Sequence, residues 1–150
     1  MYENSKLMAL WAKSNSGKTK TIAILIDLLV LNGGKVLFYK EFDCDNRLCI
    51  INFNDKTIGI ITHGDTRALL EKDFKELDEK NIEIDIYICA SHIKGQTVDY
   101  LRSAFKAENI CWLEKSGLSC ETGGKFEYDF YYTNNYNQAE NMMYLLKRII

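Results

Sequence analysis

The sequence contains no proline, no long uninterrupted apolar run and no marked excess of charge of one sign. With no proline, no repeat and no low-complexity stretch to mark a linker, we expect one domain over residues 1–150. The net charge of -2 comes from 19 basic and 21 acidic side chains that are interspersed along the chain, so no strong field attracts nucleic acid or an anionic membrane. Asp27 interrupts the longest apolar segment, and the start lacks a basic stretch before an apolar one. We therefore expect neither a signal peptide nor a membrane span.

Cysteine is present but not in pairs. The number of cysteines is five, and none forms a C-x-x-C motif, which argues against a disulfide framework and against a zinc knuckle. They are Cys44, Cys49, Cys89, Cys111 and Cys120. A reducing, cytoplasmic environment is the location we expect.

The first forty residues have the pattern of a strand, a loop, a helix and a second strand. Residues Lys6 to Ala12 are a short apolar run that stops at a polar loop. A largely apolar helix is predicted from Lys18, closed by a left-handed cap at residues 32–34 (Asn-Gly-Gly). The second strand, Lys35 to Tyr39, follows at once, and the two strands should be parallel.

The rest of the chain alternates between strands and helices. Residues Arg47 to Phe53 and Thr57 to Thr62 predict an antiparallel hairpin, whose second strand should enter the sheet beside the first strand of the chain. A helix is predicted from about Thr66 to Lys80. Further predicted elements are a strand at 82–90, a helix marked by Val98, Leu101 and Phe105, a strand at 110–113, an aromatic strand at the sheet edge or in a flap from Phe126 to Tyr132, and a closing helix marked by Met142, Leu145 and Ile149.

These elements predict an α/β fold. We expect a three-layer sandwich with a mainly parallel sheet of about five core strands, one antiparallel hairpin strand and helices on both faces. The aromatic side chains of residues 126–132 are open to three interpretations: a stacking surface for a base, a surface for a partner, or part of the core.

The most informative motif runs from Ala12 to Thr19 and reads A-K-S-N-S-G-K-T. It resembles the Walker A loop of P-loop NTPases, G-x-x-x-x-G-K-[ST], with Ala12 at the position of the first glycine. The strand before it and the helix after it are the flanks that this motif needs. The resemblance covers the first forty residues and implies that the loop binds the phosphates of a nucleoside triphosphate with Mg²⁺. The implied cofactor-binding residues are Lys13, Ser14, Asn15, Ser16, Gly17, Lys18, Thr19 and Lys20.

The resemblance also assigns roles within the loop. Gly17 would let the backbone approach the phosphates, Lys18 would reach the β- and γ-phosphates, and Thr19 would offer its hydroxyl to Mg²⁺. The alternative is a strand-to-helix turn capped by Ser14 or Ser16, with Lys18 in solvent.

Lys13 carries a second, narrower resemblance. The signature-lysine ATPases of the partition and iron-sulfur carrier type have a lysine here that reaches across a dimer, which would imply a homodimer. In that family the loop is glycine-rich, whereas Ser14 and Asn15 stand at its middle glycines in this chain. A solvated Lys13 is the alternative.

A P-loop enzyme needs a carboxylate to act on Mg²⁺ or on the attacking water. Asp65 follows the predicted hairpin and is a candidate both for the metal and for catalysis, or else it caps the next helix. Glu41, Asp43 and Asp45 cluster after the second strand, either near the substrate or in a solvated acidic loop. We take Lys18, Asp43 and Asp65 as the candidate catalytic residues.

Other polar residues are weaker candidates. His92 and Lys94 lie in a loop at the carboxyl end of a predicted strand, where open sheets bind ligands, although an ordinary exposed loop would look the same. His63 is a possible base or a structural hydrogen-bonded group. Glu114 resembles a Walker B carboxylate but lies on a late strand. No N-K-x-D motif is present, so a guanine-specific protein is disfavoured and ATP is the expected nucleotide.

The sequence thus predicts an ATP-binding protein that acts as a Mg²⁺-dependent ATPase. Two alternatives stay open: a small-molecule or nucleotide kinase, although its arginines are scattered, and a nucleotide-sensing partner subunit that does not hydrolyse ATP. The expected partner is a nucleoside triphosphate, with a protein partner or homodimer possible, no membrane and no strong sign of nucleic acid.

Overall fold

The structure is a computed structural model that describes residues 1–12, 17–43, 45–115 and 121–149. These residues form six strands, four α-helices and one short 3-10 helix at Ala107–Asn109. The strands are β1 (Lys6–Trp11), β2 (Lys35–Glu41), β3 (Arg47–Phe53), β4 (Lys56–Ile61), β5 (Ile86–Ser91) and β6 (Ile110–Glu114). The helices are α1 (Lys18–Leu31), α2 (Arg67–Asp78), α3 (Gln96–Ala104) and α4 (Gly124–Ile149). Among the described residues, no helix combines the length and the hydropathy needed to cross a bilayer.

All six strands belong to one sheet, in the order β2-β3-β4-β5-β1-β6. Neighbours within β4-β5-β1-β6 are parallel, whereas β3 is antiparallel to both β2 and β4. It follows that β2 runs in the same direction as the parallel strands and that β3 alone is reversed. The prediction of a mainly parallel sheet with one antiparallel hairpin strand is confirmed.

The helices cover both faces of the sheet, because side chains alternate between the faces along each strand. Met8 and Leu10 of β1 belong to a buried cluster with α1 and α4. Leu7 and Ala9 belong to a second cluster with α2 and α3. The predicted three layers are therefore present, with one apolar core on each side of the sheet.

Helix α1 begins and ends where the sequence predicts. It starts at Lys18, and its predicted glycine cap is observed after Asn32. Gly33, with φ of 98°, donates its backbone N–H to Val30 O at 3.2 Å, and Gly34 donates to Leu29 O at 2.8 Å. These bonds satisfy carbonyls that the last turn leaves without a helical partner.

The hairpin of β3 and β4 is also confirmed, but its position in the sheet is not. Asn54 and Asp55 both have positive φ, 51° and 63°, as the tight turn between two antiparallel strands requires. β4 pairs with β5, which separates it from β1, so the prediction that the hairpin lies beside the first strand is wrong. Apolar patterns indicate that a strand is buried, but they do not indicate which strand lies beside it.

The predicted aromatic strand from Phe126 to Tyr132 is wrong, because these residues form the first part of α4. The second part of α4 packs on α1, and helix formation extends cooperatively from such an anchored segment. Strand preference of aromatic residues depends strongly on context and is overridden here by the packing of the helix. The core interpretation fails for Phe126, Tyr128 and Tyr132, which are 69%, 65% and 51% exposed.

Three of the cysteines lie in described residues and have free thiols. Cys49 and Cys89 are buried in the sheet, and Cys111 is partly buried. Burial raises the pKa of Cys49 to about 12, so its thiol stays protonated at neutral pH. Cys44 and Cys120 lie outside the described residues.

Candidate functional site

The parallel strands bring four chain segments to one edge of the sheet. Because β4, β5, β1 and β6 are parallel, the residues that follow them all emerge at the carboxyl edge. This is the edge at which open α/β sheets bind ligands. The Walker A-like motif starts here at Ala12, and α1 begins here with Lys18. The middle of the motif lies outside the described residues: Lys13, Ser14, Asn15 and Ser16. The structure therefore does not test a role of Lys13 across a dimer.

Gly17 enters α1 in a conformation that favours glycine. Its φ of 88° is in the left-handed region. A Cβ atom added there would lie 2.7 Å from the side-chain Oδ1 of Asn135, a buried residue of α4. Both the backbone and the neighbouring helix therefore require the absence of a side chain at Gly17, and α4 packs directly against the end of the loop.

Lys18 is buried, with 6% of its surface exposed. Its Nζ donates a hydrogen bond to the carbonyl oxygen of Ala12 at 2.9 Å, so it spans the motif from its last part to its first residue. Burial lowers its pKa, and the negative charge of Asp65 partly offsets this effect. The alternative of a solvated Lys18 is therefore wrong. An ammonium group that is partly desolvated beside a helix N-terminus is suited to binding an anion.

Thr19 lies next to the end of β4. Its hydroxyl donates to the backbone oxygen of Thr62 at 3.5 Å. Thr62 is itself fully buried, and its hydroxyl accepts the backbone N–H of Arg47 at 2.7 Å. The sequence reasoning did not identify Thr62, although it ends an apolar strand at the carboxyl edge. These bonds fix the segment after β4 against the start of α1.

Asp65 occupies the segment that follows β4, close enough to Lys18 to influence its pKa. Gly64 allows this segment to approach β5, since a Cβ there would lie 2.4 Å from Ala90 O. His92 contacts the Asp65 carbonyl oxygen through Nε2 at 3.0 Å and so ties the segments after β4 and β5 together. The side chain of Thr66 caps α2, so the alternative in which Asp65 is the cap is wrong.

Thr19 and Asp65 fit the metal role that the sequence predicts. A hydroxyl and a carboxylate are oxygen donors of the kind that Mg²⁺ prefers, and both lie at the carboxyl edge. Within the described ranges, no group of three or more histidine, cysteine, aspartate and glutamate side chains could hold a metal ion by itself. Nucleotide-bound Mg²⁺ takes only one or two protein oxygens, because phosphates and water complete its shell.

Asp43 follows β2, whose carboxyl end lies at the same edge as those of the parallel strands. It lies with Asp45 between β2 and β3, and Glu41 ends β2. β2 is four strand positions from β1, which corresponds to about 19 Å at the usual spacing. The catalytic role of Asp43 stays a prediction, and Asp65 is the candidate carboxylate whose charge acts on Lys18.

The remaining candidates are distributed around the edge. His63 forms a 2.6 Å contact through Nδ1 with the buried carboxylate of Asp73 in α2, which is a structural contact. Lys94 is exposed in the loop after β5. Glu114 ends β6 and is exposed on the side of β1 away from β4.

Lys115 is a residue of the edge that the sequence reasoning missed. Its backbone N–H donates to Trp11 O at 3.0 Å, which places it beside the start of the motif. It is only 4% exposed, and burial lowers its pKa. The sequence signal was only its position shortly after the predicted strand at 110–113, because the pairing of that strand with β1 is decided by the fold. Lys115 is thus a second buried lysine beside the start of the motif.

Comparison of the chain with protein-family models, with curated proteins and with solved structures finds no match.

Proposed function

We propose that the protein binds ATP with Mg²⁺ through the loop from Ala12 to Thr19 and hydrolyses it. The observation that carries this proposal is the buried Lys18 ammonium, anchored on the Ala12 carbonyl at the N-terminus of α1 with Asp65 nearby. A helix N-terminus and a lysine that converge on one point form a binding site for a polyphosphate.

Electrostatics support an anionic ligand at this point. Burial of Lys18 and Lys115 disfavours their charged forms, and the negative charge of a bound phosphate group would favour those forms. Lys18 would hold the β- and γ-phosphates and stabilise the charge that develops on them during transfer.

Thr19 and Asp65 would hold the metal. When bound, Mg²⁺ would neutralise charge on the β- and γ-phosphate oxygens. In the hydrolysis that we propose, a water oxygen forms a bond to the γ-phosphorus, and the bond from that phosphorus to the β-γ bridging oxygen breaks. Asp65 would orient the attacking water, and one proton of that water would pass to solvent. The products ADP and phosphate would then be released.

The first experiment measures binding of ATP to the Lys18→Ala variant by tryptophan fluorescence. The signal comes from Trp11, which directly precedes the motif, and from Trp112, whose ring centroid lies 5.1 Å from that of Trp11. We expect ATP affinity to fall about 100-fold, since a hydrogen-bonded charge contributes roughly 1.5–3 kcal/mol. Lys56→Ala is the matched control, because Lys56 is exposed in the hairpin turn at the opposite end of β4. Unchanged ATP affinity in a folded Lys18→Ala variant would refute the proposal.

A phosphate-release assay separates the activities. Spontaneous release that is lost in Asp65→Asn supports hydrolysis with Asp65 as the acting carboxylate. ADP formation that depends on an added acceptor indicates a kinase, and tight binding without either product indicates a nucleotide sensor. Asp43→Asn is the matched control, and equal loss in both variants would contradict the choice of Asp65.

A further inference from the structure

A cavity of about 480 Å³ lies between α1, the first part of α4 and the segment before β3. Its lining includes Lys20 and Asp27 of α1, Arg47 of β3, and Tyr128, Tyr132 and Asn135 of α4. This volume is within the range of small-ligand sites, roughly 300–1,000 Å³. The role proposed for the loop does not use the cavity.

The cavity borders the proposed phosphate site. Lys20 lines the cavity and directly follows Thr19 in the first turn of α1. Asn135 lines it as well, and Asn135 is the residue against which Gly17 packs. The cavity therefore lies next to the first turn of α1, where the phosphates of a nucleotide would lie.

The α4 wall of the cavity is an aromatic surface. Tyr128 and Tyr132 are one helical turn apart, with ring centroids 6.4 Å apart and planes 15° from parallel. Both rings are more than half exposed, so water covers a surface on which a planar group could stack. Aromatic rings stack on nucleobases with little dependence on the identity of the base.

The charges of the cavity do not favour a second phosphate group. Arg47 is paired with Asp27 at 3.1 Å, which leaves Lys20 facing two carboxylates, Asp45 and Glu127. A cavity with this balance favours an uncharged ring with polar edges over a polyanion. The Asn135 side chain adds an amide, which can both donate and accept hydrogen bonds.

We propose that this cavity binds a nucleobase, stacked on the rings of Tyr128 and Tyr132. The proposal rests on the proposed function, because the base extends from a nucleotide whose phosphates lie on the loop. The same chemistry would suit a separate nucleoside that accepts the phosphoryl group, and the experiment distinguishes the two sources.

The test compares ATP with inorganic triphosphate as ligands of the double variant Tyr128→Ala/Tyr132→Ala. We expect ATP affinity to fall about tenfold to 100-fold and triphosphate affinity to stay unchanged, because only ATP carries a base. Tyr144→Ala is the matched control, since Tyr144 is 53% exposed on the same helix and does not line the cavity. These tyrosines are exposed, so the variants should fold.

The source of the base is tested with adenosine in the presence of saturating ATP. If ATP prevents adenosine from binding, the cavity holds the base of ATP itself. If adenosine binds together with ATP and this binding needs Tyr128 and Tyr132, the cavity holds a separate nucleoside. Both outcomes support the proposal. The proposal is overturned if the double variant binds ATP with the affinity of the wild type and the wild type does not bind adenosine. If wild-type protein binds neither ATP nor triphosphate, the proposed function fails, and adenosine binding alone then decides the role of the cavity.

Discussion

The two helical layers of this protein differ in where they keep their aromatic side chains. On the face covered by α2 and α3, the aromatic rings are buried and contact one another; they are Tyr2, Phe74, Tyr87, Tyr100 and Phe105. The hydroxyls of Tyr2 and Tyr87 both donate to the Asp78 carboxylate, at 2.7 and 3.2 Å. This layer is closed and its polar groups are satisfied.

On the other face, the core between α1 and α4 is mainly aliphatic, and four aromatic side chains of α4 are exposed: Phe126, Tyr128, Tyr132 and Tyr144. Gly17, Lys18 and Asn135 lie where this layer meets the carboxyl edge. Both layers bury an apolar core against the sheet, but only the α1/α4 layer also carries groups suited to a ligand. Predictions that separate stability from binding test this division.

The largest expected effect is on stability, from Phe74→Ala. Phe74 is fully buried and contacts four aromatic rings, so its removal leaves a cavity in the closed layer. We expect the free energy of unfolding to fall by about 3–5 kcal/mol, measured by denaturant titration.

The control for Phe74→Ala is Leu69→Ala, a partly exposed position on the same helix. ATP affinity of the folded Phe74→Ala protein should equal that of the wild type. A marked loss of affinity would show that the two layers are coupled and that the division is too simple.

An intermediate effect is expected from Gly17→Ala, at the point where α4 meets the loop. The left-handed conformation costs roughly 1–2 kcal/mol for a residue with a side chain, and the contact with Asn135 Oδ1 adds to it. Thermal unfolding and ATP affinity of Gly17→Ala, Asn135→Ala and the double variant form a double-mutant cycle. Partial recovery of stability in the double variant is expected, and purely additive losses would contradict the close contact of α4 with the loop.

The smallest expected effect is a change in the free energy of unfolding with alkaline pH. The buried lysines and the buried tyrosine Tyr100 should change it in opposite directions. Burial lowers the pKa of Lys18 and Lys115 below 10.5, so the unfolded chain binds more protons and stability rises with pH up to that value. Burial raises the pKa of Tyr100 to about 12, so the unfolded chain loses this proton first, and stability falls between pH 10 and 12.

Denaturant titrations at a series of pH values would measure the free energy of unfolding. Lys18→Met and Lys115→Met should flatten the rise and leave the fall above pH 10 in place. A rise that persists in both variants would show that other groups cause it.

Much of the fold could be predicted from local patterns. The start of α1 at Lys18, its glycine cap, and the hairpin turn at Asn54 and Asp55 are set by neighbouring residues, and each is observed. The position of Lys18 at a sheet edge also followed, because a strand, a loop and a helix in this order place the loop there.

Other features could not be predicted, because they depend on contacts between distant segments. β5 separates β4 from β1, and no property of β4 alone specifies that neighbour. The contact of Asn135 with Gly17 joins residues more than a hundred positions apart, and Lys115 acquires its place only when β6 pairs with β1.

By itself, the sequence determined the alternation of strands and helices and the loop with its lysine, because backbone conformation and capping depend on adjacent residues. The tertiary structure alone decided the strand order, the helical state of residues 126–132, and the meeting of Lys18, Asp65 and Asn135. These features arise from the burial of apolar surface between segments far apart in the chain, and that is a property of the whole packing and not of any one segment.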